Sequence, residues 1–201
     1  KNKVVNLEDE SIKYDKLLIA TGAKSFIPPI KNIKEGNNIY SLRDIEDVFY
    51  IKEKIKKSKK VAIIGAGLIG IDVLTSLLEI NNLEVSLIYP NDYILDLQLD
   101  EYSAKIYERK FIERGAKLYS SLPVNQIILD DNKNVKGVEL GDNSIVKCDL
   151  LIVATGVRPN TEILRNTDIE ENRGIVINNK CETSAKEIYA AGDVVGKNAI
   201  W

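Results

Sequence analysis

Histidine and methionine are both absent from the 201 residues, tryptophan occurs once and cysteine only twice. Without histidine, the chain lacks the commonest acid–base catalyst near neutral pH and a frequent metal ligand. Cys148 and Cys181 lie 33 residues apart and show neither C-x-x-C nor zinc-type spacing. They are therefore expected to be structural rather than a redox pair, and a reducing, cytoplasmic setting is expected with them. An excess of one charge is missing too. The net charge is -2, which leaves no electrostatic case for nucleic acid or an anionic membrane as a partner. No apolar run approaches the ~20 residues a membrane-spanning helix needs. Methionine is missing even at position 1, and Lys1-Asn2-Lys3 leads directly into a strand-like segment with no secretory signal. The chain is expected to be a piece of a longer protein.

What is present centres on Val61-Ala62-Ile63-Ile64-Gly65-Ala66-Gly67-Leu68-Ile69-Gly70. Four apolar residues run into G-x-G-x-x-G, an apolar helical stretch follows over 68–78, and a second strand pattern covers 84–89. This is the strand–helix–strand length of a dinucleotide-binding fingerprint. Each glycine has a physical task. Gly65 permits the tight turn, Gly67 lets a pyrophosphate approach the backbone, and Gly70 allows close packing of helix on strand. The helix N-terminus offers N–H groups and the positive dipole end to phosphate.

Before this unit, 3–7 and 11–14 read as an antiparallel hairpin and Leu17 to Ala23 as a buried strand. Ile27-Pro28-Pro29 is a connection and a first candidate boundary. Ser41 to Asp44 resembles a capping box with Ser41 as N-cap, with Ile45, Val48, Phe49 and Ile55 on one helical face. The lysines of 52–60 read as a solvated helix end. After the unit, a loop over 92–99 precedes a helix over 100–114, with Ala104, Tyr107 and Phe111 facing inward and Gly115 as its stop. A short strand at 116–119 and strands at 124–129, 135–140 and 144–148 follow, the last three separated by turn-rich tripeptides as in an antiparallel meander. Asp149 to Gly156 repeats the form of Asp15 to Gly22, an acid and an apolar strand ending in Ala-Thr-Gly. Gly156 to Asn160 reads as a turn, 174–178 as a strand, and Ile188 to Asp193 as a strand delivering an acid at its end.

Four motifs in fixed order carry a family likeness. They are Tyr14-Asp15-Lys16 through Ala20-Thr21-Gly22, the Gly65–Gly70 fingerprint, Ala154 through Asn160, and Ile188 through Asp193. That order resembles the FAD-dependent pyridine nucleotide-disulfide oxidoreductases, and within them the branch of NADH oxidases, CoA-disulfide reductases, nitrite reductases and rubredoxin reductases. The resemblance implies an α/β fold in which a Rossmann-like NAD(P)H-binding domain, a parallel sheet plus an antiparallel meander, is inserted between two remnants of an FAD-binding domain. Residues 1–41 and 156–201 would be the FAD-domain remnants, and 42–155 the NAD(P)H domain. It also implies that the FAD fingerprint, any redox-active cysteine and a dimerisation domain lie outside these residues.

By the same resemblance, the Gly65-Ala66-Gly67-Leu68-Ile69-Gly70 loop would contact the pyrophosphate. Thr155 and Gly156 would lie near the nicotinamide, and Asp193 would accept a hydrogen bond from the flavin ribityl chain. Thr21 and Gly22 would form a structural turn. Asp72 stands where the family usually has glutamate, one methylene longer, and an acid in the first helical turn also suits the dipole. Leu68 replaces the aromatic gate of some members. Tyr89 ends the second strand, where an acid would hold the ribose 2′-hydroxyl of NAD. No arginine lies between Tyr89 and Leu95, and Asp92 would repel a 2′-phosphate, so NADH is favoured over NADPH. The expected activity is hydride transfer from NADH to FAD and on to a further acceptor whose identity the residues do not reveal, with the fragment alone not turning over. No residue here is expected to act as nucleophile or base. The contrasting expectation is a non-catalytic dinucleotide-binding or redox-sensing module, which needs no flavin. Exposed edges of the FAD-domain strands would invite pairing with a second chain as a homodimer.

Overall fold

The computed structural model describes residues 3–196. The chain forms two compact units. One is split, drawn from Lys1–Lys24 and Val157–Trp201, and the other is continuous, Ser25–Gly156. Residues 1–2 and 197–201, the outer ends of the two expected FAD-domain segments, lie outside the described residues.

The split unit begins with β1 (Val4–Asn6) and β2 (Ser11–Lys13), an antiparallel hairpin in the expected place. β3 (Leu17–Ile19) and β4 (Ala23–Ser25) follow. Leu17–Ile19 had the apolar pattern of a strand buried on both faces, yet Leu18 is 60% exposed and Ile19 alone is buried. Among the described residues β3 pairs with one strand, and the buried cluster of this unit covers only the face that carries Leu17 and Ile19.

The continuous unit contains β5 (Ile39–Ser41), α1 (Ile45–Ile55), β6 (Lys60–Ile64), α2 (Leu68–Leu77), β7 (Glu84–Ile88), α3 (Glu101–Glu113) and β8 (Lys117–Tyr119). It continues through β9 (Val124–Leu129), β10 (Val135–Leu140), β11 (Ile145–Lys147) and β12 (Leu150–Val153). Five strands form a parallel sheet in the order β5-β12-β6-β7-β8. Strands β6, β7, β8 and β12 thus take the 3-2-1-4 order of one half of a doubly wound nucleotide-binding fold.

Side-chain alternation sorts this sheet into two faces. Val61 and Ile63, Val85 and Leu87, and Leu150 and Ile152 join Ile51, Leu74, Leu77, Ala104 and Phe111 of the helices. Ala62, Ile64, Ile88, Leu151 and Val153 pack instead against Ile127, Val138, Leu140, Val146 and Cys148 of the meander β9–β11. Both faces are covered, so the strands read as continuous apolar runs. The meander takes the place of a helix between β8 and β12.

Two boundaries and two inward faces differ from the sequence reading. Residues 25–41 belong to the continuous unit, since β5 pairs with β12 and Ile33 is buried against the meander face. The compact unit therefore starts at Ser25 rather than at residue 42. Ser41 pairs with Val153 in the ladder, so it cannot cap α1. Asp44 is the N-cap, accepting the Asp47 N–H while Asp47 accepts the Asp44 N–H. The inward stripe of α1 accordingly runs through Ile51 and Ile55, and Ile45 and Phe49 are exposed. On α3 the inward residue between Ala104 and Phe111 is Glu108, and Tyr107 is half exposed.

The chain returns to the split unit through β13 (Val157–Pro159), a short strand where a turn was expected, paired with β4. β14 (Ile188–Ala190) lies parallel to β3. Ile175 forms only isolated bridges, to Glu171 and Val195, so 174–178 is not a regular strand. It is nevertheless fully buried, with Ile19, Leu164, Ala190 and Val194.

Candidate functional site

In an open α/β sheet, ligands bind beyond the C-terminal ends of the strands, at the point where the strand order reverses. Here that point lies between β6 and β12. The Gly65–Gly70 loop leaves β6 there, and Ala154-Thr155-Gly156 leaves β12 beside it.

The three glycines sit in different environments. Gly65 has a φ of 109°, and a Cβ on it would overlap the Ala154 carbonyl oxygen. A Cβ on Gly70 would overlap the Gly65 carbonyl oxygen and touch the Ala154 Cβ at 3.6 Å. Both are therefore demanded by packing against backbone. Gly67 is different. It is exposed and extended, and nothing lies within 4 Å of where its Cβ would be. The open space over Gly67 is a cradle that a side chain would fill. Gly67 is also the N-cap of α2 and carries no side-chain cap, which leaves the first helical N–H groups facing that space. Ala154 was the residue sequence reasoning undervalued. Its small side chain and its carbonyl set how closely the glycine loop and β12 approach.

Ala66 is half buried and accepts the Leu95 N–H at 2.9 Å. Leu68 and Ile69 are exposed at the head of α2, with Leu68 60% exposed. Thr155 donates its hydroxyl to the Phe26 carbonyl at 2.7 Å, and Phe26 donates its N–H to the Gly156 carbonyl at 2.9 Å. In the split unit Thr21 donates in the same way to the Asn160 carbonyl at 2.7 Å, and Asn160 returns an amide bond to Thr21 at 2.9 Å. The first Ala-Thr-Gly is thus a structural fastening, and the second combines that fastening with a place at the switch point.

Two site residues stand differently from expectation. Asp72 is the fifth residue of α2, beyond the first turn, so the dipole argument does not reach it. It lines a groove of about 830 Å³ between α1 and α2, with Val48, Lys52 and Ile55. Tyr89 is buried, and its hydroxyl donates to Oε1 of Glu108 at 2.9 Å. Its side chain is turned into the core and cannot take the ribose-facing role of a strand-end acid. Burial and the Glu108 carboxylate together push its phenol well above the usual range.

Asp193 lies in the short 3₁₀ turn Gly192–Val194 and is exposed. With Gly192, Arg158, Arg173 and Cys181 it lines a cavity of about 1120 Å³ within the split unit. Gly192 has a φ of 78° and open space around its Cβ position. Cys148 is buried under the meander and Cys181 is exposed, on different units. Among the described residues no cluster of histidine, cysteine or acidic side chains could hold a metal ion. No described helix is long and apolar enough to cross a membrane.

Comparison with known proteins places the chain in one family. The family described as pyridine nucleotide-disulphide oxidoreductase matches residues 1–201. The chain is 35% identical over 201 residues to an NADH-rubredoxin oxidoreductase of Clostridium acetobutylicum, covering 98% of the chain and 48% of that protein. It is 32% identical over 193 residues to a nitrite reductase (NAD(P)H) of Bacillus subtilis, covering 96% of the chain and 24% of that protein. A solved NAD-dependent persulfide reductase from A. fulgidus superposes with a TM-score of 0.85 at 30% identity, over 92% of the chain and 34% of that structure. The chain thus spans between a quarter and a half of the length of the two curated relatives. Motif order, sheet order and these matches agree, and the chain belongs to the pyridine nucleotide-disulphide oxidoreductase family.

Proposed function

We propose that this chain is the NAD(P)H-binding portion of a flavoprotein oxidoreductase, which passes a hydride from NADH to FAD and on to a further acceptor. The observation that carries the reading is the open space over Gly67, at the head of an uncapped helix and at the switch point of a 3-2-1-4 sheet. The residues fit a dinucleotide pyrophosphate there. The N–H groups at the head of α2 would hold it, Gly65 and Gly70 would keep the loop tight, and Thr155 and Gly156 would border the nicotinamide end. Bound there, a nicotinamide dinucleotide would supply hydride chemistry toward a flavin. The protein's own part is to place and orient both groups and to exclude water. NADH is favoured over NADPH because the segment that leaves β7 lacks arginine from Tyr89 to Leu95 and carries Asp92.

For FAD the fit is partial. Asp193, on the wall of its cavity, is suited to accept a bond from a flavin hydroxyl, a charge-assisted contact of ~1.5–3 kcal/mol. The FAD-binding remnants, expected from the sequence at 1–41 and 156–201, are proposed to follow the split unit instead, Lys1–Lys24 and Val157–Trp201. A cytoplasmic protein is proposed, as is a redox partner as acceptor, in keeping with the rubredoxin named for one relative. The exposed edge of β3 is proposed as a place for a strand from a second copy of the chain.

The test is a fluorescence titration of NADH against wild type and Gly67→Val. The extended backbone at Gly67 accepts valine and the site has room, so the fold is expected to persist while binding is lost. Equal affinity in the two proteins would remove this loop from the site.

A further inference from the structure

Tyr89 occupies the position at which a dinucleotide fold ordinarily offers a carboxylate to the adenosine ribose. Its ring is 2% exposed, and a carboxylate from another element meets its hydroxyl instead. That carboxylate belongs to Glu108 on α3, itself only 7% exposed. Oε1 accepts both the Tyr89 hydroxyl at 2.9 Å and the Ile94 N–H at 3.1 Å. Oε2 accepts from Nζ of Lys105 at 2.9 Å, and the same ammonium donates to the Asp92 carbonyl at 2.9 Å. A buried carboxylate persists where its oxygens are satisfied, and these donors satisfy both.

The three donors have one thing in common. Tyr89 and Ile94 flank the segment that leaves β7, and Lys105 grips Asp92 in its middle. The next residue, Leu95, takes a left-handed backbone at φ 53° and donates its N–H to the Ala66 carbonyl at 2.9 Å, inside the glycine loop. Asp92 is steadied from a further side, its Oδ1 accepting the Ser121 hydroxyl at 2.8 Å. Two side chains of α3 therefore hold segment 89–95, Glu108 at Tyr89 and Ile94 and Lys105 at Asp92, and Leu95 ties the segment to the glycine loop.

We infer that Glu108 is a positioning residue for dinucleotide selection: it fixes segment 89–95 beside the glycine loop, so that the adenosine ribose meets a rigid backbone and the Asp92 carboxylate turns away a 2′-phosphate. The inference rests on the dinucleotide reading of the Gly65–Gly70 loop. Removing the acceptor would release Tyr89, Ile94 and Lys105 together, and the segment would lose its register on Ala66. Affinity for NADH would fall, and the preference over NADPH would fall with it.

The experiment titrates NADH and NADPH separately against the full chain as wild type, Glu108→Ala, Glu108→Gln, Lys105→Met and Gly67→Val, with a urea midpoint for each. Glu108→Ala is expected to weaken NADH by about tenfold or more, the scale on which displaced positioning groups act. NADPH should weaken less, so the ratio of the two Kd values narrows. Glu108→Gln keeps an acceptor for Tyr89 and Ile94 and is expected to restore most of both. Lys105 is 44% exposed, so Lys105→Met narrows the ratio without opening the core, and it carries the test where Glu108→Ala does not fold. A folded Glu108→Ala or Lys105→Met with wild-type affinities and ratio overturns the inference. If Gly67→Val abolishes binding while those variants leave it unchanged, the inference alone fails. If wild type binds neither nucleotide, or Gly67→Val binds like wild type, the dinucleotide reading fails and takes the inference with it.

Discussion

Cys148 makes a pH-dependent contribution to stability. Burial under the meander, with Asp149 adding a little, pushes its thiol up to about 12. In the unfolded chain the same thiol ionises near pH 8.5. Between those values the folded state retains a proton that the unfolded state releases, so stability falls as pH rises. The loss approaches about 1.4 kcal/mol per pH unit from this group, and Tyr89 acts in the same direction at higher pH. The urea midpoint is expected to be lower at pH 10 than at pH 8, with a shallower fall in Cys148→Ala. At pH 8 a thiol reagent should modify Cys181 quickly and Cys148 only on unfolding. Equal rates at the two cysteines would contradict the burial of Cys148. The lack of C-x-x-C spacing already pointed to a structural Cys148, but its burial depends on the meander folding over it. Glu108 is the residue that pattern alone missed. A charged residue at an inward helix position has no hydrophobic signal, and its three donors come from other parts of the chain or from the outward side of α3.

Among the elements, α1 depends most on a local device. Asp44 and Asp47 satisfy each other's N–H groups, Asp47 also accepts the Arg43 N–H at 2.7 Å, and Lys52 and Lys54 sit in the last turn where cations suit the dipole. Its apolar face is only partly buried, with Ile51 inside and Ile45, Val48 and Phe49 exposed. Asp44→Ala is expected to cost about 1 kcal/mol, read as a lower urea midpoint with an unchanged slope. A midpoint within error of wild type would mean that packing against the sheet, not the cap, holds α1. The βαβ unit and the meander could be read directly from apolar period and turn residues. The start of α1 could not, because Ser41 with an acid three residues on fits a capping box. Only the pairing of Ser41 with Val153 in the sheet moves the cap to Asp44.

At the scale of the molecule the two units differ in how their strands are supported. The sheet of the continuous unit is covered by helices on one face and the meander on the other. The split unit has two-stranded pairs and a buried cluster of Ile19, Leu164, Ile175, Ala190 and Val194. Two-stranded pairs are marginal in water unless something else covers them. Amide hydrogen exchange is therefore expected to reach Leu17–Ile19 and Ile188–Ala190 before Lys60–Ile64 and Leu150–Val153. Exchange in the opposite order would place the more stable core in the split unit. Addition of a strand at the exposed edge of β3 should slow exchange there selectively.

Two kinds of feature were decided by the sequence itself. One is the local period of apolar residues, which determined β6, α2, β7 and the meander, because burial on one or both faces imposes that period wherever the strand or helix lies. The other is the glycine spacing, since backbone geometry at Gly65, Gly67 and Gly70 depends on neighbours a few residues away. Tertiary structure decided which side chains turn inward where two choices were locally equivalent. It sent Tyr89 into the core and paired it with Glu108, assigned 25–41 to the continuous unit through β5, and set Ala154 against the glycine loop. Each of these depends on contacts between residues far apart in the chain. A hydrogen-bond donor or a close-packed carbonyl supplied from such a distance leaves no mark on the local pattern. That is why the glycine loop could be found from the sequence, and why the groups that hold it in place could not.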